Sequence, residues 1–383
     1  MIKRISHIAA IVILITALSC VEEIPLETQT FESLLVIEAT ITNEIKQQEI
    51  KLSRSFKFGD TIPSQETGAT VKIIDDVINT YAFSESEPGV YKSQSAFAAQ
   101  PNRNYALSIV TTNGNEYTSS EMQLTQPTSI DSLYVERDFN ENGIEGVSVY
   151  VDSFDPNSNS HYYRYDYEET YKVIAPFYSP LELDPISFEL SLKEEQEQIC
   201  YAKNNSKEII ITNTKAFTED RVERFRVRFL KRSDYSISHR YSILVTQYVQ
   251  SREAYSFYEA LKKISSIESI LSETQPGFIL GNIISKSNSD EKVFGFFDVS
   301  SSHSKRVYFN YADLFPGEAL PFISCPFIAP DIPALIYRLD NGFKYFDMNA
   351  GQIMDGGPFL LVSPICGDCT FLGENTLPSW WID

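Results

Sequence analysis

Between residues 34 and 124 the chain is divided into short runs rich in β-branched and aromatic residues, each bounded by turn residues. The runs recur about every ten residues, a spacing typical of antiparallel strands in a two-layer sandwich. They cover residues 34–41, 49–53, 70–74, 80–84, 90–92, 104–111 and 116–122. Asn113-Gly114, between the last two runs, favours a tight hairpin because both residues readily adopt positive φ. Residues 31–127 are therefore predicted to form an immunoglobulin-like or prealbumin-like β-sandwich.

A domain boundary is predicted at Gln126-Pro127-Thr128, and residues 128–383 are predicted to form a larger β-rich domain. Its predicted strands cover residues 132–136, 146–151, 162–173, 207–213, 222–229, 242–248, 292–298 and 306–309. One helix is predicted after a cap at Ser251, from an apolar stripe that indicates core packing. The stripe comprises Ala254, Phe257, Tyr258, Leu261 and Ile264. The fold class is therefore mainly β, with one or more short helices, and residues 176–198 are expected to form a surface excursion.

The first twenty residues have the organisation of a secretory leader: Lys3 and Arg4, an apolar run too short to span a bilayer comfortably, and small residues before Cys20. The ending Ala17-Leu18-Ser19-Cys20 resembles a bacterial lipobox. We expect residues 1–19 to be a lipoprotein signal peptide, Cys20 to carry the lipid, and residues 20–30 to be the tether. The alternatives are an ordinary secretory signal or an uncleaved anchor. The expected location is the outer membrane, lipid-anchored and facing outward.

Four further cysteines constrain the mature chain: Cys200, Cys325, Cys366 and Cys369. In an oxidising compartment an even number predicts two disulfides, with three connectivities open. The Cys366-Gly367-Asp368-Cys369 spacing also fits a redox motif or half of a zinc site. A redox motif normally lies between a strand and a helix start, whereas this one precedes a turn-rich tail. Structural disulfides are the favoured interpretation.

The formal net charge is −20 at pH 7, and cleavage after residue 19 would remove two positive charges. An acidic surface of this kind repels phosphate backbones, so nucleic acid is not expected as a partner. After the leader the sequence has no run of eighteen apolar residues, and no transmembrane helix is predicted. The mature protein is expected to be globular and attached to the membrane through its lipid.

Catalytic and metal motifs are weak. The histidines of the mature chain, His161, His239 and His303, occur singly, and no cofactor or metal ligand is predicted. Ser302 and Lys305 match an SxxK spacing, but the preceding residues indicate a strand end and a loop rather than the helix this chemistry requires. Residues 138–143 resemble half of a calcium loop, and a hairpin turn explains the same residues. The protein is predicted not to be an enzyme.

One predicted strand, residues 162–173, alternates tyrosines with charged residues. Strand geometry places Arg164, Asp166 and Glu168 on one face. The opposite face then carries Tyr163, Tyr165, Tyr167 and Tyr171. A tyrosine-rich face binds sugars or peptides in some proteins and packs into a core in more of them. Both interpretations stay open, and no ligand residue is assigned from this pattern.

An ordered set of motifs resembles the DUF4249 family of Bacteroidetes envelope lipoproteins. After the lipobox these are residues 35–39 (LVIEA), 69–73 (ATVKI), 88–91 (PGVY), 130–133 (IDSL), 161–164 (HYYR), 240–243 (RYSI), 281–283 (GNI), 294–297 (FGFF) and the CGDC at 366–369. The resemblance implies an accessory or binding subunit that works with a TonB-dependent outer-membrane barrel, without an established biochemical activity. Two alternatives remain: a structural or adhesive surface protein, and a surface hydrolase of glycans or peptides that uses paired carboxylates.

Overall fold

The computed structural model describes residues 33–55, 64–265, 279–350 and 354–382. The predicted leader, the lipidation residue Cys20 and the tether at residues 20–30 lie outside this range. The described part of the chain is mainly β, which confirms the predicted fold class. It also contains the helices α1 (Arg252–Ser265), α2 (Tyr311–Leu314), α3 (Ile332–Asp340) and α4 (Pro364–Gly367). None of these described helices is long and apolar enough to cross a membrane.

The described residues form strands throughout. The first ten are β1 (Leu35–Thr42), β2 (Glu49–Arg54), β3 (Thr70–Asp75), β4 (Thr80–Glu87), β5 (Val90–Ser93), β6 (Asn104–Val110), β7 (Glu116–Ser119), β8 (Met122–Gln123), β9 (Ile130–Phe139) and β10 (Glu145–Asp155). The others are β11 (Tyr162–Ile174), β12 (Leu181–Leu183), β13 (Leu190–Leu192), β14 (Ile199–Asn205), β15 (Ile210–Asn213), β16 (Asp220–Lys231), β17 (Arg240–Val249), β18 (Ile283–Ser285), β19 (Val293–Asn310), β20 (Lys344–Met348) and β21 (Phe359–Val362).

The N-terminal strands follow the order β1-β2-β5-β4-β3-β6-β7 in one long sheet, with β8 beside β6. Each of the seven predicted runs contains an observed strand, and the run 116–122 is divided between β7 and β8. Alternate side chains of β1, including Leu35, Ile37 and Ala39, are buried in one apolar cluster with side chains of β2, β3 and β6. Such alternation follows from the two-residue period of a strand that has one face on a core.

Strand β19 connects the two halves of the molecule. Its first half pairs in parallel with β1, from Val293 opposite Leu35 to Ser300 opposite Thr42. Its second half pairs antiparallel with β17, from Ser301 to Asn310. The prediction of two separate strands at 292–298 and 306–309 was therefore wrong, because the serine-rich residues between them pair with β17. The long sheet continues from β1 through β19 and β17 to β11 and β14.

The N-terminal core also takes side chains from the distant strands β18 and β19. Ile283, Val293, Phe297 and Val299 belong to its apolar cluster. The Asn282 side chain connects these two strands, because its amide nitrogen donates to the Phe297 carbonyl and its oxygen accepts from the Phe297 N–H. The domain boundary proposed near residue 127 stays a prediction, and the packing of the first segment extends beyond it.

A second sandwich has β16, β10 and β9 as one layer and the β14-β11-β17-β19 part of the long sheet as the other. Its core contains valines of β10 and tyrosines of β11 and β17. They are Val147, Val149, Val151, Tyr163, Tyr165, Tyr167, Tyr171 and Tyr241. The turn between β9 and β10 is a hairpin in which the Asn140 side chain accepts the N–H groups of Asn142 and Ile144. Turn chemistry thus accounts for the residues that resemble a calcium loop.

A small C-terminal lobe packs beside the second sandwich. Hairpins β12–β13 and β20–β21 pack with α3 around a cluster that includes Leu183, Leu335 and Leu361. The predicted excursion at 176–198 therefore contributes a hairpin to this lobe. Two disulfides, Cys200–Cys369 and Cys325–Cys366, fasten the lobe to β14 and to the loop before α3.

Candidate functional site

A groove of about 740 Å³ lies on the outer face of the long sheet, where the two sandwiches meet. Its floor is formed by β1, the first half of β19, β17 and β11, and helix α1 lies along one side. The groove exists because β19 joins β1 to β17, which brings together faces from strands far apart in sequence. Sites of this volume are typical of ligand-binding proteins.

Helix α1 is held against the sheet by the stripe that its sequence predicts. The Ser251 hydroxyl accepts the Ala254 N–H at 3.0 Å and caps the helix start. Ala254 and Phe257 are buried, and the Phe257 ring lies 5.5 Å from the Phe296 ring. Core packing is therefore confirmed for Ala254 and Phe257, and Tyr258 and Leu261 are partly buried against the same cluster. The same stripe also forms a wall of the groove, since Phe257, Tyr258 and Leu261 line it.

Arg164 of β11 is the central cation of the groove. Its guanidinium carbon lies 4.2 Å from the ring centre of Tyr248 and 4.9 Å from that of Tyr258, so the group stacks between a strand and the helix. Its Nη1 also lies 2.7 Å from a carboxylate oxygen of Asp166. Burial alone would lower the pKa of Arg164, but the nearby Tyr258 and Asp166 outweigh burial and raise it above its usual value. The residue keeps its positive charge in a largely buried position.

Asp298 of β19 lies next to Arg164 and is fully buried. Burial raises the pKa of its carboxyl group, although Ser300 and Arg164 oppose this effect. One carboxyl oxygen accepts a hydrogen bond from Ser300 Oγ at 2.6 Å. Asp298 Oδ1 and Arg164 Nε have no hydrogen-bond partner among the described residues. Because buried polar atoms are nearly always satisfied, Arg164 brings unused bonding capacity to the groove, whereas Asp298 is not among the described residues that line it.

Among the described residues that line the groove, both signs of charge occur in equal number. The cations are Lys46, Lys51, Arg164 and Lys207, and the anions are Glu38, Glu49, Asp166 and Glu168. Apolar surface from Phe294, Phe296 and Leu261 lies beside them. In a chain of net charge −20, this balance makes the groove less acidic than the protein as a whole. The combination fits an extended ligand that has both polar and apolar groups.

The alternating strand at residues 162–173 has the two faces that its sequence predicts. The tyrosines face inward, and Tyr163 and Tyr165 are completely buried in the second core. The charged face, with Arg164, Asp166 and Glu168, lines the groove. The tyrosine-rich face therefore packs into a core, and the charged face, which carried no ligand assignment, forms part of the candidate site.

The SxxK-like residues lie in the continuous strand β19 rather than on a helix. Residues three apart in a strand point to opposite faces, so Ser302 and Lys305 do not converge. Lys305 Nζ donates to the Asp131 carbonyl at 2.7 Å, and the Ser302 hydroxyl lies 3.3 Å from Asn43 Oδ1. Ile130 donates its N–H to His303 Nδ1. These residues connect strands, and none of them lines the groove among its described residues.

The four predicted disulfide candidates pair as Cys200–Cys369 and Cys325–Cys366. The two cysteines of the CxxC sequence therefore bond to two different elements instead of to each other. Among the described residues no cluster of three His, Cys, Asp or Glu side chains is arranged to hold a metal ion. Cys20 lies outside the described residues, and its lipidation stays a prediction.

Comparison with known proteins identifies a family but no characterised relative. A family model described as a domain of unknown function, DUF4249, matches residues 21–306. The match includes all the residues that line the groove, from Val36 to Phe296. A search of curated proteins finds no match.

Proposed function

The chain belongs to the DUF4249 family, and we propose that it is a lipid-anchored outer-membrane protein acting as a non-enzymatic binding subunit of a TonB-dependent transporter. In this proposal the lipid on Cys20 holds the protein at the outer surface. The groove beneath α1 binds a segment of the transporter or of its cargo. The leader-like residues 1–19 and the resemblance to envelope lipoproteins support the anchor and the partner.

The groove between α1 and the long sheet is the observation that carries this proposal. Its floor consists of strands that are paired on both sides, so the backbone of the floor has a fixed position before a ligand arrives. Arg164 is further held by Tyr248, Tyr258 and Asp166. Preorganisation of this kind reduces the entropy lost on binding. Equal numbers of cations and anions beside aromatic side chains favour recognition of a mixed polar and apolar surface.

The test is a mild-detergent pull-down of the tagged, lipidated protein from outer membranes of its native host, with mass spectrometry of the co-eluting proteins. Three variants accompany the wild type. Cys20→Ala removes the anchor, Lys51→Glu/Lys207→Glu reverses two exposed charges of the groove, and Lys203→Glu reverses an exposed charge on β14 outside it. We expect a stoichiometric barrel with the wild type and with Lys203→Glu. The groove variant should retain less than about a tenth of it.

Two results would contradict the proposal. The protein could elute alone with its lipid intact, which removes the transporter partner. The barrel could instead co-elute equally with the wild type and with Lys51→Glu/Lys207→Glu, which places the contact outside the groove. Loss of the barrel with Cys20→Ala alone supports only the anchor.

A further inference from the structure

Two adjoining pockets of about 280 and 310 Å³ lie at the other end of the same sheet face. They share lining residues from β11, from the two residues before β17 and from the loop after α2. The shared residues are Lys172, Ile174, Ser238, His239 and Leu320. Lys172 is four residues beyond Glu168, the nearest groove residue along β11, which corresponds to about 13 Å in a strand. We refer to these two adjoining pockets together as the paired pocket, which is separate from the groove.

The charged side chains of the paired pocket all have the same sign. Lys172 and Arg240 line it together with His239, and among its described lining residues there is no Asp or Glu. The whole chain has 52 acidic residues and only 32 Lys and Arg. The local positive charges of Lys172 and Arg240 favour an anionic ligand in this pocket, although the net charge of the chain repels anions at long range.

The wall of the paired pocket exposes large apolar side chains. Leu320 is 46% exposed and Phe322 is 82% exposed. Their loop is fixed in place, because the Ser238 hydroxyl donates to the Pro321 carbonyl at 2.6 Å and Cys325 is disulfide-bonded to Cys366. The loop therefore holds apolar surface at the pocket, and a ligand with a hydrocarbon part would gain free energy by covering it.

His239 lines the paired pocket, and the protonation of its imidazole depends on the charges nearby. The side chain is partly buried. Burial and, to a lesser extent, the positive charge of Lys172 lower the pKa of His239 below its usual value. Its imidazole is thus neutral near pH 7 in the free protein. An anion bound beside Lys172 would offset that positive charge and would also cover the ring.

We propose that the paired pocket binds a small apolar monocarboxylate, of the chemical class of a medium-chain fatty acid. The carboxylate lies near Lys172 and Arg240, and the hydrocarbon chain covers Leu320 and Phe322. Arg240 is already held in position, since its Nε donates to the Ile382 carbonyl at 2.7 Å. Each of the two pockets alone lies at the small end of the usual range of volumes for small-molecule sites.

The experiment uses the full chain in lipid nanodiscs and octanoate as the probe. Diethylpyrocarbonate modifies neutral imidazoles, and peptide mass spectrometry gives the rate at each histidine. We expect saturating octanoate to slow modification of His239 at least about fivefold and to leave His161 and His303 unchanged. Octanol, which has the same chain without the charge, should protect at least about tenfold more weakly.

Two variants with matched controls complete the test. Lys172→Met removes the cation and should weaken octanoate about tenfold, whereas Lys203→Met, on the neighbouring strand, should have no effect. Phe322→Ala, at an exposed position, should also weaken octanoate, and Ile186→Ala, equally exposed in the C-terminal lobe, should not. Equal protection by octanol and octanoate, unchanged affinity in Lys172→Met, or no protection of His239 would each overturn the proposal. None of these outcomes depends on a transporter partner.

Discussion

Arg228 forms a two-point ion pair with Glu169 at the core of the second sandwich, with Nε and Nη2 lying 3.0 and 3.2 Å from the two carboxylate oxygens. Glu169 is 4% exposed, and the Tyr241 hydroxyl donates to it as well. Burial alone would lower the pKa of Arg228, but the Glu169 carboxylate outweighs burial and raises it. The pair connects β16 of one layer to β11 of the other.

Replacing Arg228 with Met should destabilise the protein by about 3–5 kcal/mol, because Glu169 would remain buried without its cation. Urea unfolding followed by tryptophan fluorescence measures the change. The control is Lys203→Met, which breaks the exposed Lys203–Glu374 pair at 3.0 Å and should cost about 0–1 kcal/mol. Similar losses in the two variants would show that the Arg228–Glu169 pair makes no special contribution.

The disulfides should contribute unequally to stability. Cys200–Cys369 joins residues 169 positions apart, and Cys325–Cys366 joins residues 41 apart. In the chain-entropy model, removal of these cross-links costs about 5 and 4 kcal/mol respectively. We therefore expect Cys200→Ser/Cys369→Ser to unfold at lower urea than Cys325→Ser/Cys366→Ser under oxidising conditions. The reverse order would mean that native-state packing, rather than loop entropy, determines the contribution of each bridge.

Local features of the fold could be predicted because they depend on neighbours in the sequence. Alternation of tyrosine and charge along β11 gave the correct faces for Tyr165 and Arg164. The cap at Ser251 and its apolar stripe gave the correct helix. Each of these signals lies within a few residues of the structure it determines.

The groove could not be predicted, because it depends on pairing between distant strands. Thr40 lies opposite Asp298 in the parallel β1–β19 pair, and no local pattern specifies that register. The burial of Asp298 follows from that pairing. The disulfide connectivity has the same origin, since four cysteines allow three pairings and only the fold selects Cys200 with Cys369.

Asp368 should make the C-terminal lobe sensitive to acid. Burial would raise the pKa of its carboxyl group, but hydrogen bonds from Lys344 and Thr370 outweigh burial and hold the pKa below its usual value. Lys344 Nζ lies 2.7 Å from Asp368 Oδ2. Because the pKa is lower in the folded state, the stabilisation is complete above the unfolded value of about 3.9. It is lost as the pH falls through the folded value.

The comparison of the wild type with Lys344→Met tests this contribution. The variant removes the 2.7 Å contact with Asp368 together with a longer, 3.6 Å contact between Lys344 and Glu197. Thermal unfolding measured from pH 7 to pH 3 should show the variant less stable at neutral pH. The difference should shrink below about pH 4, because protonated Asp368 no longer benefits from the cation. A difference that stays constant over this range would assign the role of Lys344 to packing rather than to an ion pair with a carboxylate.

Gly295 lies where β19 pairs with β1, and we expect any larger residue there to destabilise the protein. Its φ is +150°, and a Cβ there would lie 2.2 Å from the Ile37 carbonyl oxygen, which is a backbone atom that cannot turn aside. Gly295→Ala should therefore cost at least about 3 kcal/mol from strain and overpacking. Gly114→Ala is the matched control, because Gly114 also has positive φ, at +85°, but a Cβ there meets nothing within 4 Å. It should cost only about 1 kcal/mol.

Since Gly295 and Ile37 both line the groove, a folded Gly295→Ala protein should also lose partner binding in the pull-down, whereas Gly114→Ala should keep it. Equal stability of the two variants would show that β1 and β19 can separate without cost, and the groove would then lack the rigid floor on which the proposed function depends.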